Sequence, residues 1–242
     1  MSRSLTYFVS DVHLGLDVKD KDGRETRFVD FLRSIPKDTT ETLYMLGDIW
    51  DFWYEYKDVV PRGYVRVFAA LTDLIDAGVK VIFIPGNHDI WCYSYFSQLG
   101  ITVAQQPLFA QIGSQTFYLG HGDGLGEGMR GYKMMRWAFH WRPFQVMFSW
   151  LHPYIAFRLG TGWSRNSRLA RSVEYEFQGE KEPLYKYSEA VSSQYEVDHF
   201  IFGHYHTSVR MVLPSGSDFV ILKDWMEASP YAVFDGSELR VF

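Results

Sequence analysis

Residues 5–13 read Leu5-Thr6-Tyr7-Phe8-Val9-Ser10-Asp11-Val12-His13. The run of apolar and aromatic residues predicts a β-strand over Leu5–Val9, after which the chain stops in a polar loop. A carboxylate and an imidazole two residues apart, at the end of a buried strand, are costly to place there unless something binds them. Four later stretches repeat the arrangement, an apolar strand followed by Gly, Asp, Asn or His. Thr42–Leu46 stops at Gly47-Asp48, and Val79–Ile84 stops at Pro85-Gly86-Asn87-His88-Asp89. Gln115–Leu119 leads into Gly120-His121-Gly122-Asp123, and Val197–Phe202 into Gly203-His204-Tyr205-His206.

Between the first three strands the apolar period changes to that of helices. Phe28, Phe31, Leu32 and Ile35 predict a helix over Arg27–Ile35 that Pro36 ends, with the charged stretch Asp17–Glu25 before it as a loop. Val67, Leu71, Leu74 and Ile75 predict a second helix over Gly63–Ala77, stopped by Gly78. The aromatic run Ile49–Tyr56 reads as a loop or short helix. Strand, helix, strand, helix, strand is the order of an α/β fold with parallel strands. Further on, Pro107–Ile112 and Gln115–Leu119 flank a Gly113-Ser114 turn and predict a hairpin. Val209–Leu213, Phe219–Leu222, Tyr231–Phe234 and Leu239–Phe242 read as a closing antiparallel meander. With no repeat and no low-complexity linker, the expectation is one domain over 1–242 with a helical cap inserted over 128–196.

The composition bounds the function. The 242 residues carry a net charge of −5, which gives no global reason to expect a nucleic-acid partner. The lone cysteine, Cys92, rules out an internal disulfide framework and fits a reducing compartment; it reads as a small buried residue. Met1-Ser2-Arg3-Ser4 leads straight into the first strand without the organisation of a secretion signal, and no apolar run reaches the ~20 residues that span a bilayer. A cytoplasmic protein, soluble or membrane-peripheral, is expected.

Collected at the strand ends are Asp11, His13, Asp48, Asn87, His88, His121, His204 and His206. In open α/β sheets, ligands bind outside the carboxyl ends of the strands. Five of the eight histidines in the chain belong to this set, so ordinary surface scatter does not explain it. Imidazole, carboxylate and amide oxygen without thiolate suit borderline divalent ions such as Mn²⁺, Fe²⁺, Co²⁺ or Zn²⁺. Seven plausible ligands among these eight are too many for one tetrahedral ion, and two ions sharing a carboxylate fit the count better. Taken singly each cluster has a bland reading as a capped strand end or turn; the series as a whole carries the inference.

The series Asp11-x-His13, Gly47-Asp48, Gly86-Asn87-His88-Asp89, Gly120-His121 and Gly203-His204-x-His206 resembles the calcineurin-like metallophosphoesterase superfamily in all its signature blocks. The resemblance implies a four-layer α/β/β/α sandwich and a dinuclear, Mn²⁺-type site. Carried over by position, Asp11, His13 and His206 hold one ion, Asn87, His121 and His204 hold the other, and Asp48 bridges them. His88 then lies just outside the ions and stabilises the transition state or protonates the leaving oxygen, with Asn87 beside it. Asp89 either orients that imidazole or caps its loop.

The stretch Gly128–Val173 narrows the substrate. It contains no Asp or Glu, eight Lys or Arg and ten aromatic residues, so it is locally +8 against −13 for the remainder. Basic and aromatic, and broken by Pro143 and Pro153, it has the composition of a membrane-interface or lipid-headgroup surface. The bland alternative is a cap whose aromatics pack inward and whose arginines are solvated. Its place in the chain, with Leu46-Gly47-Asp48-Ile49-Trp50-Asp51-x-Trp53 and Arg165-Asn166-Ser167-Arg168, is similar to the UDP-2,3-diacylglucosamine hydrolases of lipid A biosynthesis. That resemblance implies a UDP-linked lipid sugar as substrate and peripheral attachment to the cytoplasmic face of the inner membrane, with no protein partner. Substrate contacts would come from Asn87, His88, Ser167, Arg168, Arg171 and His204. The chain departs from the family where an Arg is usual and His88 stands, and where an Asn and a Lys are expected and Arg171 and Glu174 stand. A phosphodiesterase or phosphatase acting on a soluble nucleotide or phosphoprotein is the alternative activity.

Overall fold

The computed structural model describes residues 3–18, 20–128, 130–170 and 176–242, with side chains for all of these except 165–170. The first half of the chain runs β1 (Leu5–Val9), α1 (Lys21–Ser34), β2 (Thr40–Met45), α2 (Val65–Asp76), β3 (Lys80–Phe83), α3 (Tyr95–Gln98) and β4 (Thr102–Val103). Then come β5 (Leu108–Ile112), β6 (Gln115–Leu119), and three helices, α4 (Arg130–His140), α5 (Arg142–Ser149) and α6 (Pro153–Ala170). The chain closes with α7 (Pro183–Ser192), β7 (His199–Phe202), β8 (Val209–Val212), β9 (Asp218–Ile221), β10 (Ala232–Phe234) and β11 (Leu239–Val241).

Two sheets form, ordered β11-β10-β1-β2-β3-β4 and β5-β6-β7-β9-β8. Strand alternation assigns each residue to a layer. On β1, Phe8 faces the second sheet while Val9 faces α1 and α2; on β2, Tyr44 and Leu43 divide the same way. On β6 and β7, Phe117, Leu119 and Ile201 face the first sheet, and Tyr118, Phe200 and Phe202 face α7 through Leu184 and Tyr185. The result is helices, sheet, sheet, helix, as the α/β/β/α reading expects. Within the expected 128–196 stretch, α7 supplies the fourth layer, and the helices that stand off the sandwich are α4–α6.

Parallel pairing puts the polar strand ends at one edge. Val9, Met45 and Phe83 are cross-strand partners in β1, β2 and β3, so the loops after them emerge together. Leu119, Ile201 and Val220 align likewise in β6, β7 and β9. The closing strands are not one meander. β8 and β9 pair in the second sheet, where β9 also runs parallel to β7, and β10 and β11 return to the edge of the first sheet beside β1. The apolar inner faces of β10 and β11 are needed to cover Phe8 and Phe117, a long-range demand that local pattern does not reveal.

The stretch read as a loop before α1 holds its first turns. Asp20 caps the helix by accepting from the Gly23 amide, and Arg24 turns inward, fully buried, to donate to the carbonyls of His13, Leu16 and Val18. The charges conceal the helix because one of them is a core residue. α3 and β4, four and two residues long, are too short for a periodic signal.

In α4–α6 some aromatic residues pack inward and others face solvent. Phe139, Phe144 and Phe148 pack on Trp91, Phe148 also on Tyr54, and Phe157 on Phe52. Trp137, Trp141, Trp150 and Trp163 are each at least half exposed. Pro143 and Pro153 fall in first turns, where the missing N–H costs nothing, so they begin helices rather than break them. Among the described residues no helix is long and apolar enough to cross a membrane.

The joint between the sheets is testable. Phe117 stacks on Phe8 at 5.5 Å and meets Phe234 edge-on at 5.0 Å. Phe117→Ala is expected to lower unfolding stability by about 3–5 kcal/mol in denaturant titrations, against about 0.5 kcal/mol or less for Trp150→Ala on the exposed cap face.

Candidate metal centre

The centre is built by loops that tie one another down. After β1 and β2 the loops run side by side: the amides of Asp11, His13 and Leu14 donate to the carbonyls of Gly47, Asp48 and Ile49. Asp89 locks the third loop onto the second. Its carboxylate accepts from the amides of Asp48, Ile49, Trp50 and Gly86. Asp89 is therefore the loop cap of the two readings above, and it does not touch the His88 ring. That ring is oriented by Asp51, whose backbone carbonyl accepts from His88 Nδ1 at 2.8 Å.

Each of the two central carboxylates divides its oxygens. Asp48 Oδ1 accepts the His88 amide at 2.9 Å, leaving Oδ2 3.3 Å from His121 Nε2 and 3.8 Å from His13 Nε2. Asp11 Oδ2 accepts the His204 amide at 3.0 Å, and Oδ1 lies 3.6 Å from His13 Nε2 and 3.7 Å from His206 Nε2. These approaches require glycine in the facing loops. A Cβ on Gly86 would sit 2.3 Å from Asp48 Oδ1, and one on Gly203 2.2 Å from Asp11 Oδ2.

The backbone is strained at the same residues. Seven described non-glycine residues have positive φ, and five of them are Asp11, His13, Asp48, His204 and His206. The left-handed region costs an L-residue roughly 1–2 kcal/mol. Such strain clusters where function over-determines the geometry.

Electrostatics point the same way. Burial pushes the Asp11 carboxyl up from its ordinary value. Burial would raise Asp48 too, but the charges of His121 and His88 hold it well below the carboxylate range. Burial, with His121 beside it, pushes His204 down to about 3, so its ring is a neutral lone-pair donor. His204 Nδ1 and His121 Nε2 face each other at 3.3 Å, an arrangement that wants a proton or a cation between them.

The residues fit a pair of divalent ions. Asp11, His13 and His206 gather their ligand atoms within 4.8 Å, and so do Asp48, His121 and His204. Asp11 Oδ1 and Asn87 Oδ1 are buried without a hydrogen-bond partner. Two of these imidazoles are pre-set by their other nitrogen, as metal-binding histidines usually are. His121 Nδ1 donates to the Leu46 carbonyl at 2.8 Å, and His206 Nδ1 to Asp224 Oδ2 at 2.9 Å. The placement of Asp48 Oδ2 between His13 and His121 suits a carboxylate shared by both groups.

Around the centre, sequence reasoning missed Asp51, Asp123 and Asp224. Asp51 and Asp123 stand in quoted blocks, three residues after Asp48 and two after His121. Asp123 accepts from Tyr132 and Arg136 of α4 and so fastens the cap to the sandwich. Asp224 follows β9, and its signal is lost once that strand is read as part of a meander. Of the expected substrate contacts, Asn87, His88 and His204 line a cleft of about 500 Å³ that continues under the cap. For Ser167 and Arg168 no side chain is described, and Arg171 lies outside the described residues.

Replacing Asp48 by Asn removes the anionic oxygen that faces both His13 and His121. Metal content by mass spectrometry should fall from two ions per chain to one or none. Turnover should drop by more than the roughly 10–100-fold that loss of an outer partner costs.

Comparison with known proteins bears on this geometry. The family model described as calcineurin-like phosphoesterase matches residues 5–208. A UDP-2,3-diacylglucosamine hydrolase of Porphyromonas gingivalis is 34% identical, covering 98% of this chain and 96% of its own. One from Xanthomonas campestris pv. campestris is 28% identical over 98% and 94%. A dimetal phosphatase structure from Danio rerio aligns at a TM-score of 0.47 and 16% identity, covering 98% of each chain. The match takes in every loop that delivers a ligand, so the chain belongs to the calcineurin-like phosphoesterase family and is a metal-dependent phosphoester hydrolase.

Proposed function

We propose that the chain hydrolyses the pyrophosphate of UDP-2,3-diacylglucosamine, giving UMP and 2,3-diacylglucosamine 1-phosphate for lipid A biosynthesis. The observation that carries this reading is the two-ended cleft. One end is polar, with Asn87, His88 and His204; the other is apolar, with Trp91, Phe139, Phe148 and Trp163 among its walls. A substrate with a charged diphosphate and acyl chains needs both ends in one continuous space. The names of the relatives at 34% and 28% identity support the same substrate.

Asp11, His13 and His206 would hold one ion, Asn87, His121 and His204 the second, and Asp48 would serve both; Mn²⁺ is the first candidate for each. Bound there, the ions supply activation of the attacking water and neutralisation of charge on the phosphoryl oxygens. The protein's own work is positioning. His88, held through Nδ1, keeps Nε2 on the cleft side, 3.9 Å from Asp48 Oδ2. It donates a proton or hydrogen bond to the oxygen of the departing sugar phosphate. Arg136, anchored on Asp123 at 2.7 Å, also lines the cleft and offers its charge to the diphosphate. The domain is one unit over 1–242 in which the cap covers the acyl chains.

The exposed Trp137, Trp141 and Trp150, with Arg142 and Arg158 nearby in sequence, rest the protein on the cytoplasmic face of the inner membrane. Replacing Trp150, which is 82% exposed, by Ser should reduce sedimentation with anionic vesicles while thermal stability stays unchanged. Unaltered sedimentation counts against this face.

Incubation with the UDP-lipid in H₂¹⁸O and Mn²⁺ should place the heavy oxygen on UMP, as attack at the uridine-side phosphorus requires. His88→Ala should lower kcat by about 10²–10⁴-fold with little change in KM. No UMP, together with brisk hydrolysis of a soluble phosphodiester, would replace this substrate by a soluble one.

A further inference from the structure

The Asp51 carboxylate stands at a junction that the proposed mechanism does not use. It is buried, and its carboxylate Oδ1 accepts the Ser164 hydroxyl of α6 at 2.7 Å. The same oxygen lies 3.3 Å from His13 Nδ1 and 3.8 Å from His88 Nδ1. Its backbone carbonyl holds the His88 ring, and its amide is fixed on the Leu14 carbonyl. One turn before Ser164, Gly160 lets the helix backbone rest on Phe52, where a Cβ would meet the ring at 2.3 Å. The face of α6 that carries Gly160 and Ser164 is thus seated directly on residues 51–52, and both residues also line the cleft.

We infer that the Asp51 side chain is a positioning group that couples the seating of α6 to the orientation of the His13 imidazole at the metal centre. A carboxylate beside His13 Nδ1 favours the tautomer that keeps its proton there. Nε2 is then the lone-pair donor on the side of Asp11 and Asp48, and the ring is a stronger ligand. The Ser164 hydroxyl fixes the carboxylate in that pose. If α6 lifts, Oδ1 loses the Ser164 hydroxyl, and the carboxylate that faces His13 Nδ1 is held less firmly. Filling or emptying the apolar end of the cleft therefore alters the centre itself, not only substrate affinity.

The test uses the full chain loaded with Co²⁺, followed by visible absorption, and turnover of bis(p-nitrophenyl) phosphate, a soluble diester without acyl chains. Asp51→Asn should weaken one of the two Co²⁺ binding steps by about 10–100-fold and leave the other. Ser164→Ala should shift the same step by a smaller factor and lower kcat on the diester with KM unchanged. Ser164→Thr, which keeps the hydroxyl, should restore both. The double variant should be no worse than Asp51→Asn alone, because the two residues act in series. If Asp51→Asn does not fold, Ser164→Ala and Ser164→Thr carry the test. Unchanged Co²⁺ binding and kcat in Ser164→Ala, or additive losses in the double variant, would overturn the coupling. So would native mass spectrometry showing three ions per wild-type chain and two in Asp51→Asn, which would make Asp51 a ligand.

Discussion

Two buried carboxylates, Asp11 and Asp48, each spend one oxygen on the backbone of a neighbouring loop and turn the other toward a shared centre. The inward oxygens meet imidazoles that are themselves buried or nearly so. Ionised groups taken out of water at this density are unfavourable unless an opposite charge is supplied. Five residues of the set also sit at positive φ. Burial would depress the His121 pKa, but the charge of Asp48 lifts it well above its ordinary value. Strain and buried charge together make sense for a site completed by divalent ions.

The architecture serves that requirement. Parallel β1, β2 and β3 bring three loops to one edge, and parallel β6, β7 and β9 bring three more from the second sheet. Phe8 and Phe117 stack between the sheets and fix the distance across which Asp11 meets His204 and Asp48 meets His121. The cap is not loosely attached. Asp123 holds α4 through Arg136 and Tyr132, Asp51 holds α6 through Ser164, and Trp91 and Tyr54 donate to the carbonyls of Phe139 and Gln145. The loops that carry the candidate ligands on one side thus carry cap anchors on the other.

Much of this was legible in the sequence, for a physical reason. A polar residue at the end of a buried strand breaks the apolar pattern without a structural excuse, and Asp11, His13, Asp48, Asn87, His121, His204 and His206 all do so. The structure brings six of them into the two clusters and puts Asn87 in the wall of the same cleft. What was illegible depended on partners distant in sequence. Asp224 matters because β9 runs parallel to β7, and nothing local distinguishes that from a meander. Arg24 is a core residue because three carbonyls of the β1 loop converge on it, so the start of α1 looked like solvent-exposed chain. The cap's aromatics occur on several helix faces, and only packing separated the phenylalanines that turn inward from Trp137, Trp141 and Trp150, which face outward.

The central claim is that seven strand-end ligands form two cation sites sharing Asp48. Diffraction from Mn²⁺-soaked crystals at the manganese absorption edge tests it most directly. The account predicts two anomalous peaks flanking the Asp48 carboxylate, one among Asp11, His13 and His206 and the other among Asn87, His121 and His204. A single peak, or one seated between His88 and Asp51, would contradict it.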